Sequence, residues 1–159
     1  MKIEDLIKEY WGLDNTSPTG LVFIQKRRGS KFKIGDVACN CINKRGYYVG
    51  MLGGKLMLAH RVVFFLQHNF WPIEVDHIDG NPLNNKISNL RAVTSSENSH
   101  NTLGRGYYLH KQTGKYNAYI KIRGMRKSLG LFATSQEARS AYLRAKRELH
   151  PTAPGRCYA

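Results

Sequence analysis

Val75-Asp76-His77-Ile78-Asp79-Gly80-Asn81, followed by Asn89-Leu90-Arg91 and then by Glu97-Asn98-Ser99-His100-Asn101, decides how this chain is read. An Asp-His pair is followed by one asparagine twelve residues after the histidine and by another nine further on. Hydrolysis assisted by a divalent ion needs an oxygen or imidazole ligand, and beside it a neutral imidazole that deprotonates water. It also needs a carboxamide that holds this imidazole in one orientation and tautomer. Neighbouring residues of a strand point to opposite faces, so Asp76 can face a metal while His77 faces another way. A following loop and helix can then bring Asn89 behind His77 and Asn98 beside Asp76.

Residues 60 to 101, from His60-Arg61-Val62-Val63 through the Asp-His pair to Asn89-Leu90-Arg91-Ala92-Val93-Thr94, resemble phage and bacterial HNH homing endonucleases. The resemblance implies a ββα-metal (His-Me finger) core and one divalent ion per active site. It makes Asp76 and Asn98 the metal ligands, His77 the general base and Asn89 the residue hydrogen-bonded to that base. Position 98 departs from the letters HNH, being Asn rather than His. An amide oxygen is a harder ligand than imidazole, so Mg²⁺ or Mn²⁺ is expected before Zn²⁺ or Ni²⁺.

The rest of the composition fits a DNA partner. The 159 residues carry a net charge of +14, of which residues 105–159 hold +10 and residues 1–104 hold +4. Within the first part, residues 21–61 have nine basic side chains and only Asp36 to oppose them. Dense basic charge attracts a polyanion at long range and gains affinity by counterion release, so double-stranded DNA is the expected partner. Among the basic residues Lys26, Arg27, Arg28 and Arg61 are expected DNA contacts in this part. The three cysteines include no CxxC pair, which argues against a disulfide framework and a four-ligand zinc site. No stretch approaches the roughly 20 apolar residues of a membrane span, and residues 1–10 lack a signal-peptide pattern. A cytoplasmic protein is expected, in the host cytoplasm if phage-encoded, with no membrane association and no obligate protein partner.

The periodicities predict an α+β chain. Residues 1–35 read as an amphipathic helix with Ile3, Leu6, Ile7 and Tyr10 on one face, then a basic arm. Residues 36–102 read as the nuclease core, with a hairpin at Gly53-Gly54, a buried helix over 60–67 and catalytic strands at 74–77 and 91–94. A helix capped by Ser95 or Ser96 follows and carries Asn98. Leu103-Gly104-Arg105-Gly106 reads as a linker. Residues 105–150 read as three strands and one helix started by Thr134 or Ser135, with Ala138, Ala141, Tyr142, Ala145 and Leu149 on its packed face and Arg139, Lys146 and Arg147 in water. Residues 151–159 form a tail.

This small three-stranded sheet with one packed helix resembles the DNA-binding domain of plant ethylene-response factors (APETALA-like). The residues that carry the likeness are Gly106-Tyr107-Tyr108, Lys115-Tyr116-Asn117-Ala118-Tyr119-Ile120, Leu129-Gly130-Leu131-Phe132 and Glu137-Ala138. The resemblance implies a sheet laid in the major groove, with Lys115, Tyr119, Lys121, Arg123, Arg126 and Lys127 as the DNA-facing side chains. Together the two halves predict a metal-dependent DNA endonuclease of the homing type. The rival is a DNA-binding protein on a degenerate HNH scaffold that does not cut; the intact set Asp76, His77, Asn89 and Asn98 argues against it.

Overall fold

The structure, a computed structural model, describes all residues except Arg27, Thr102 and Ala159. The chain divides into two compact units, Met1–Val93 and Thr94–Ala159. The division falls before the helix that carries Asn98, not at the glycine-rich stretch 103–106 where the sequence pattern changes.

The first unit is built around one helix. It opens with α1 (Ile3–Tyr10), then β1 (Trp11–Leu13) paired antiparallel with β2 (Leu21–Phe23). A second antiparallel sheet has β4 (Tyr48–Leu52) between β3 (Cys41–Ile42) and β5 (Lys55–Leu58). The β4–β5 connection is the Gly53-Gly54 turn, with both glycines at positive φ. Helix α2 (Ala59–His68) follows directly. Its run of Val62, Val63, Phe64 and Phe65 is buried, and Asn69 ends it in the left-handed conformation with its N–H on the Phe65 carbonyl. Strands β6 (Glu74–His77) and β7 (Leu90–Val93) form an antiparallel hairpin, joined by a loop and a 3₁₀ turn at Ile87–Asn89.

Ile7, Trp11, Leu21, Leu52, Val62, Phe65, Val75 and Leu90 belong to one core cluster. The helix and first hairpin of the segment 1–35 thus belong to the core. Their apolar face, with Trp11 and Leu21, closes the core over α2, because α2 presents more apolar surface than the hairpins alone cover. Thr19 sits in this core at 0 % exposure and donates its hydroxyl to the Ala38 carbonyl at 2.7 Å.

The second unit begins with α3 (Ser95–His100). Thr94, rather than Ser95 or Ser96, caps it: the Thr94 hydroxyl accepts from the Glu97 N–H, and the Glu97 carboxylate accepts from the Thr94 N–H. Strands β8 (Tyr107–His110), β9 (Lys115–Ile122) and β10 (Met125–Phe132) then form an antiparallel sheet with β9 in the middle. Helix α4 (Ser135–Leu149) starts with the same reciprocal cap, Thr134 with Glu137, and packs Ala138 and Ala141 against Ala118. Two expectations for its faces fail. Leu149 is 41 % exposed, whereas Lys146 is 1 % exposed, with its ammonium over the Tyr142 ring and its pKa lowered by burial. The C-terminal residues explain this. After α4 the chain folds back through Cys157, itself buried, and Tyr158 donates to the His150 carbonyl, which puts protein where solvent was expected.

Gly106 has a positive φ of 75°, and a Cβ there would lie 2.0 Å from the Tyr142 ring. Gly106→Ala combines left-handed strain with a clash in the interior of this unit. It is expected to destabilise the second unit by about 2 kcal/mol or more, read as a lower thermal midpoint.

Candidate active site

The hairpin β6–β7 sets Asp76 directly opposite Arg91 and His77 opposite Leu90. Opposed residues share a face, so the Arg91 guanidinium reaches the Asp76 carboxylate with both Nε and Nη2 at 2.9 Å from Oδ2. Asp76 is 8 % exposed. A carboxylate so enclosed needs a cation, and Arg91 supplies one from the protein. Sequence reading missed this partner, although a cross-strand register drawn from the two catalytic strands contains it.

His77, at 5 % exposure, points the other way. Its Nε2 lies 3.0 Å from the Oδ1 of Asn85, and the Asn85 amide nitrogen donates to the Thr19 carbonyl at 3.1 Å. This pair of contacts selects a tautomer. The Thr19 carbonyl can only accept, so the NH₂ of Asn85 must face it and the amide oxygen must face His77. Nε2 then carries a proton, so in the neutral ring Nδ1 holds the lone pair that a general base needs.

The expected partner of His77 was Asn89, and here the structure corrects the reading. The Asn89 side chain donates to Asp79 Oδ1 at 2.9 Å and to the Asn84 carbonyl at 2.8 Å, and accepts from the Asp79 N–H at 3.0 Å. It laces the loop between the catalytic strands instead of touching the imidazole. The physical reason is the compactness of that loop: Asp79, Asn81 and Asn84 turn it back on itself, with the Asn81 N–H on Asp79 Oδ1 and the Leu83 N–H on Asn81 Oδ1. Asn89 fills the centre of this turn and leaves Asn85 behind the histidine. Burial opposes ionisation of Asp79, but hydrogen bonds from Asn84, the Asn81 N–H and Asn89 outweigh it and hold its pKa below the usual value. Asp79 thus caps the turn beside Gly80.

Asn98 stands on α3, its N–H bonded to the Thr94 carbonyl and its amide oxygen 3.5 Å from the Asn101 amide. His100, two residues on, is stacked face to face on His150, with ring centroids 3.6 Å apart.

Other basic residues divide into two groups. Arg61 is occupied: its guanidinium donates to the Pro72 and Ile73 carbonyls at 3.0 and 3.1 Å and lies over Trp71. It ties the end of the α2–β6 connection to α2, a structural role the sequence did not indicate. Lys26 and Arg28 are exposed, and Arg27 lies outside the described residues. On the C-terminal sheet, Lys121 pairs in register with Arg126 and Tyr119 with Ser128, which puts these four on one face together with Lys115. The Arg126 guanidinium sits 4.8 Å from the Tyr119 ring centroid. Lys127 pairs with Ile120 and so belongs to the opposite face, because adjacent residues of β10 alternate; Arg123 is the exposed left-handed turn residue.

Near His77, His60 is 5 % exposed and its ring centroid lies 5.0 Å from that of His77. Burial first, then the neighbouring His77 and Arg61, push its pKa down to about 3.

With this geometry in place, the comparisons with known proteins give the class. Residues 57–100 match the HNH endonuclease family. Among curated proteins, the chain is 31% identical over 108 residues to YosQ of Bacillus subtilis (strain 168), an SPbeta prophage-derived protein whose name designates it an HNH homing endonuclease; the match covers 67% of this chain and 62% of YosQ. It is 36% identical over 106 residues to the DNA endonuclease I-HmuI of Bacillus phage SP01, covering 63% of this chain and 57% of that protein. The chain thus spans about three fifths of the length of each relative. No solved structure matches it significantly.

The depressed pKa of His60 has a consequence for stability. The unfolded histidine binds its proton near 6.5, the folded one only near 3, so the unfolded state holds more protons between these values and stability falls as pH drops through this window. Thermal melts at pH 7.5 and pH 5 are expected to show a smaller loss of midpoint for His60→Gln than for the natural protein.

Proposed function

We propose that the protein is a metal-dependent DNA endonuclease of the HNH homing type, hydrolysing phosphodiester bonds in double-stranded DNA. The observation that carries the mechanism is the His77–Asn85–Thr19 chain, which leaves His77 Nδ1 as an unprotonated base in a buried site. Asp76 and, on the spacing of the motif, Asn98 are the proposed ligands of one divalent ion. Among the described residues no three His, Cys, Asp or Glu side chains cluster as a metal site. The donors proposed are a carboxylate and an amide, both hard oxygens, and such a set fits Mg²⁺ or Mn²⁺ completed by phosphate oxygen and water. When bound, such an ion supplies Lewis-acid neutralisation of the charge that develops on the phosphate and the leaving oxygen.

The protein's own groups do the rest. His77 Nδ1 takes the proton of the attacking water, and Asn85 accepts from Nε2–H and stabilises the imidazolium that results. Arg91 orients the Asp76 carboxylate. Asn89 and Asp79 hold the loop that carries Asn85. The face of Lys115, Tyr119, Lys121 and Arg126 is the proposed DNA-binding surface of the second unit, and its likeness to the ethylene-response-factor sheet supports a role in reading the duplex; Lys26 and Arg28 are the proposed DNA contacts of the first unit.

Nicking of supercoiled plasmid in Mg²⁺, abolished by EDTA, tests the reading directly; a protein that binds the plasmid but leaves it intact in Mg²⁺ and in Mn²⁺ is the non-cleaving binder instead. His77→Ala is expected to lower the rate by ~10²–10⁴-fold with DNA affinity unchanged. Asn85→Ala is expected to lower it by ~10–100-fold, the usual effect of losing a residue that orients an active-site imidazole.

Binding measured against salt concentration tests the sheet. Lys121→Ala and Arg126→Ala are each expected to reduce the slope of log K against log salt by about 0.9 if each side chain meets one phosphate.

A further inference from the structure

The first unit has a groove of about 540 Å³ beside His77 that the mechanism above does not use. It runs between the 43–47 turn and the start of α2, and Asn43, Arg45, Tyr47, Leu58, His60 and Glu74 are among the residues that line it. We propose that this groove seats the deoxyribose-phosphate unit next to the bond being cut, with His60 Nε2 as a hydrogen-bond donor to its phosphate. The proposal rests on the endonuclease reading and adds a substrate contact to it.

His60 is the observation that points to a ligand. Its side chain is buried in the first turn of α2, and Nδ1 is sealed from solvent without a hydrogen-bond partner. A leucine or phenylalanine would fill this position with no orphaned polar atom, so the imidazole is retained at a cost in stability. An orphaned buried N–H is rarer than an orphaned acceptor, which places the proton on Nε2, the ring's other polar atom. The ring lines the groove, so Nε2–H is the donor that a ligand in the groove meets. Burial keeps the ring neutral, and a neutral donor can sit 5.0 Å from the His77 ring without competing for its proton.

The other lining groups suit the same ligand. Tyr47 lies 5.0 Å from His60 and 6.0 Å from His77, between ring centroids, and extends the polar wall toward the base. Asn43 Oδ1 accepts the Arg45 and Tyr47 N–H groups, which fixes the turn and leaves the Asn43 NH₂ as a donor. Arg45 is exposed, with its cation available to a phosphate. Leu56 and Leu58 give an apolar floor, as a deoxyribose face requires. Glu74 is the acidic lining residue, and Arg45 and Arg61 share the lining with it.

The experiment has two arms on the full chain. In the first, the ring-¹⁵N signals of His60 are recorded while a short DNA duplex is added in EDTA, where no cutting occurs. The Nε2 signal is expected to shift with DNA and to remain that of a protonated, neutral ring; no change at saturating duplex overturns the proposal. In the second, His60→Gln, whose amide can place an N–H near the Nε2 position, is compared with His60→Leu in plasmid nicking. Leu is expected to lose about tenfold in kcat/KM, the worth of one hydrogen bond to a charged group, and Gln to recover most of it. Equal rates for the two variants also overturn the proposal. If the Leu variant does not fold, the signals of the natural protein still decide. If that protein binds but never nicks DNA, the endonuclease reading fails, while the ¹⁵N arm still tells whether the groove meets a phosphate.

Discussion

A buried polar chain runs through the first unit, and the site depends on it: His77 to Asn85, Asn85 to the Thr19 carbonyl, and the Thr19 hydroxyl to the Ala38 carbonyl. Each link is inside the protein, where an unmet donor or acceptor costs far more than at the surface. The chain therefore requires three separate stretches of sequence, around residues 19, 38 and 85, to be in place together. It explains why the N-terminal segment is part of the core, and why the orientation of one imidazole on β6 is decided by a carbonyl 58 residues earlier in the sequence.

The two adjacent residues of the Asp-His pair are served by different neighbours because a strand alternates. Asp76 takes its partner across the hairpin from Arg91, a charge-assisted contact on the same face. His77 takes its partner from the loop, a neutral contact on the other face. The carboxylate and the imidazole are thus kept apart on one short strand.

The second unit shows how a basic surface can be organised by register. Lys121 beside Arg126, with Tyr119 beneath the guanidinium, forms a flat cationic and aromatic face, whereas Lys127 is turned away from it. Its interior is small, and Lys146, Tyr142, His150 and Cys157 occupy part of what a larger apolar core would fill. The stack of His150 on His100 fastens α3 within this unit. Both rings have pKa values lowered chiefly by burial, consistent with two neutral imidazoles lying flat on one another.

Much of this molecule was legible in the residues themselves. The Gly53-Gly54 turn, the apolar run of α2, the strands on either side of the asparagine-rich loop and the capped helix of the second unit all follow from local preferences: φ sign, burial period and side-chain capping. The reading of Asp76, His77 and Asn98 came from the resemblance of their spacing to HNH homing endonucleases, and the family match spans residues 57–100. What spacing could not supply was which asparagine stands behind His77. Asn85 and Asn89 are four residues apart in a loop crowded with amides, and the choice between them depends on how tightly Asp79, Asn81 and Asn84 wind that loop. Nor could it supply Arg91 as the partner of Asp76, Arg61 as a brace on two carbonyls, the burial of Lys146, or the orphaned nitrogen of His60. Each is settled by side chains distant in sequence that meet only when the chain is folded, since the competition between solvation and burial is decided by the surroundings and not by the residue.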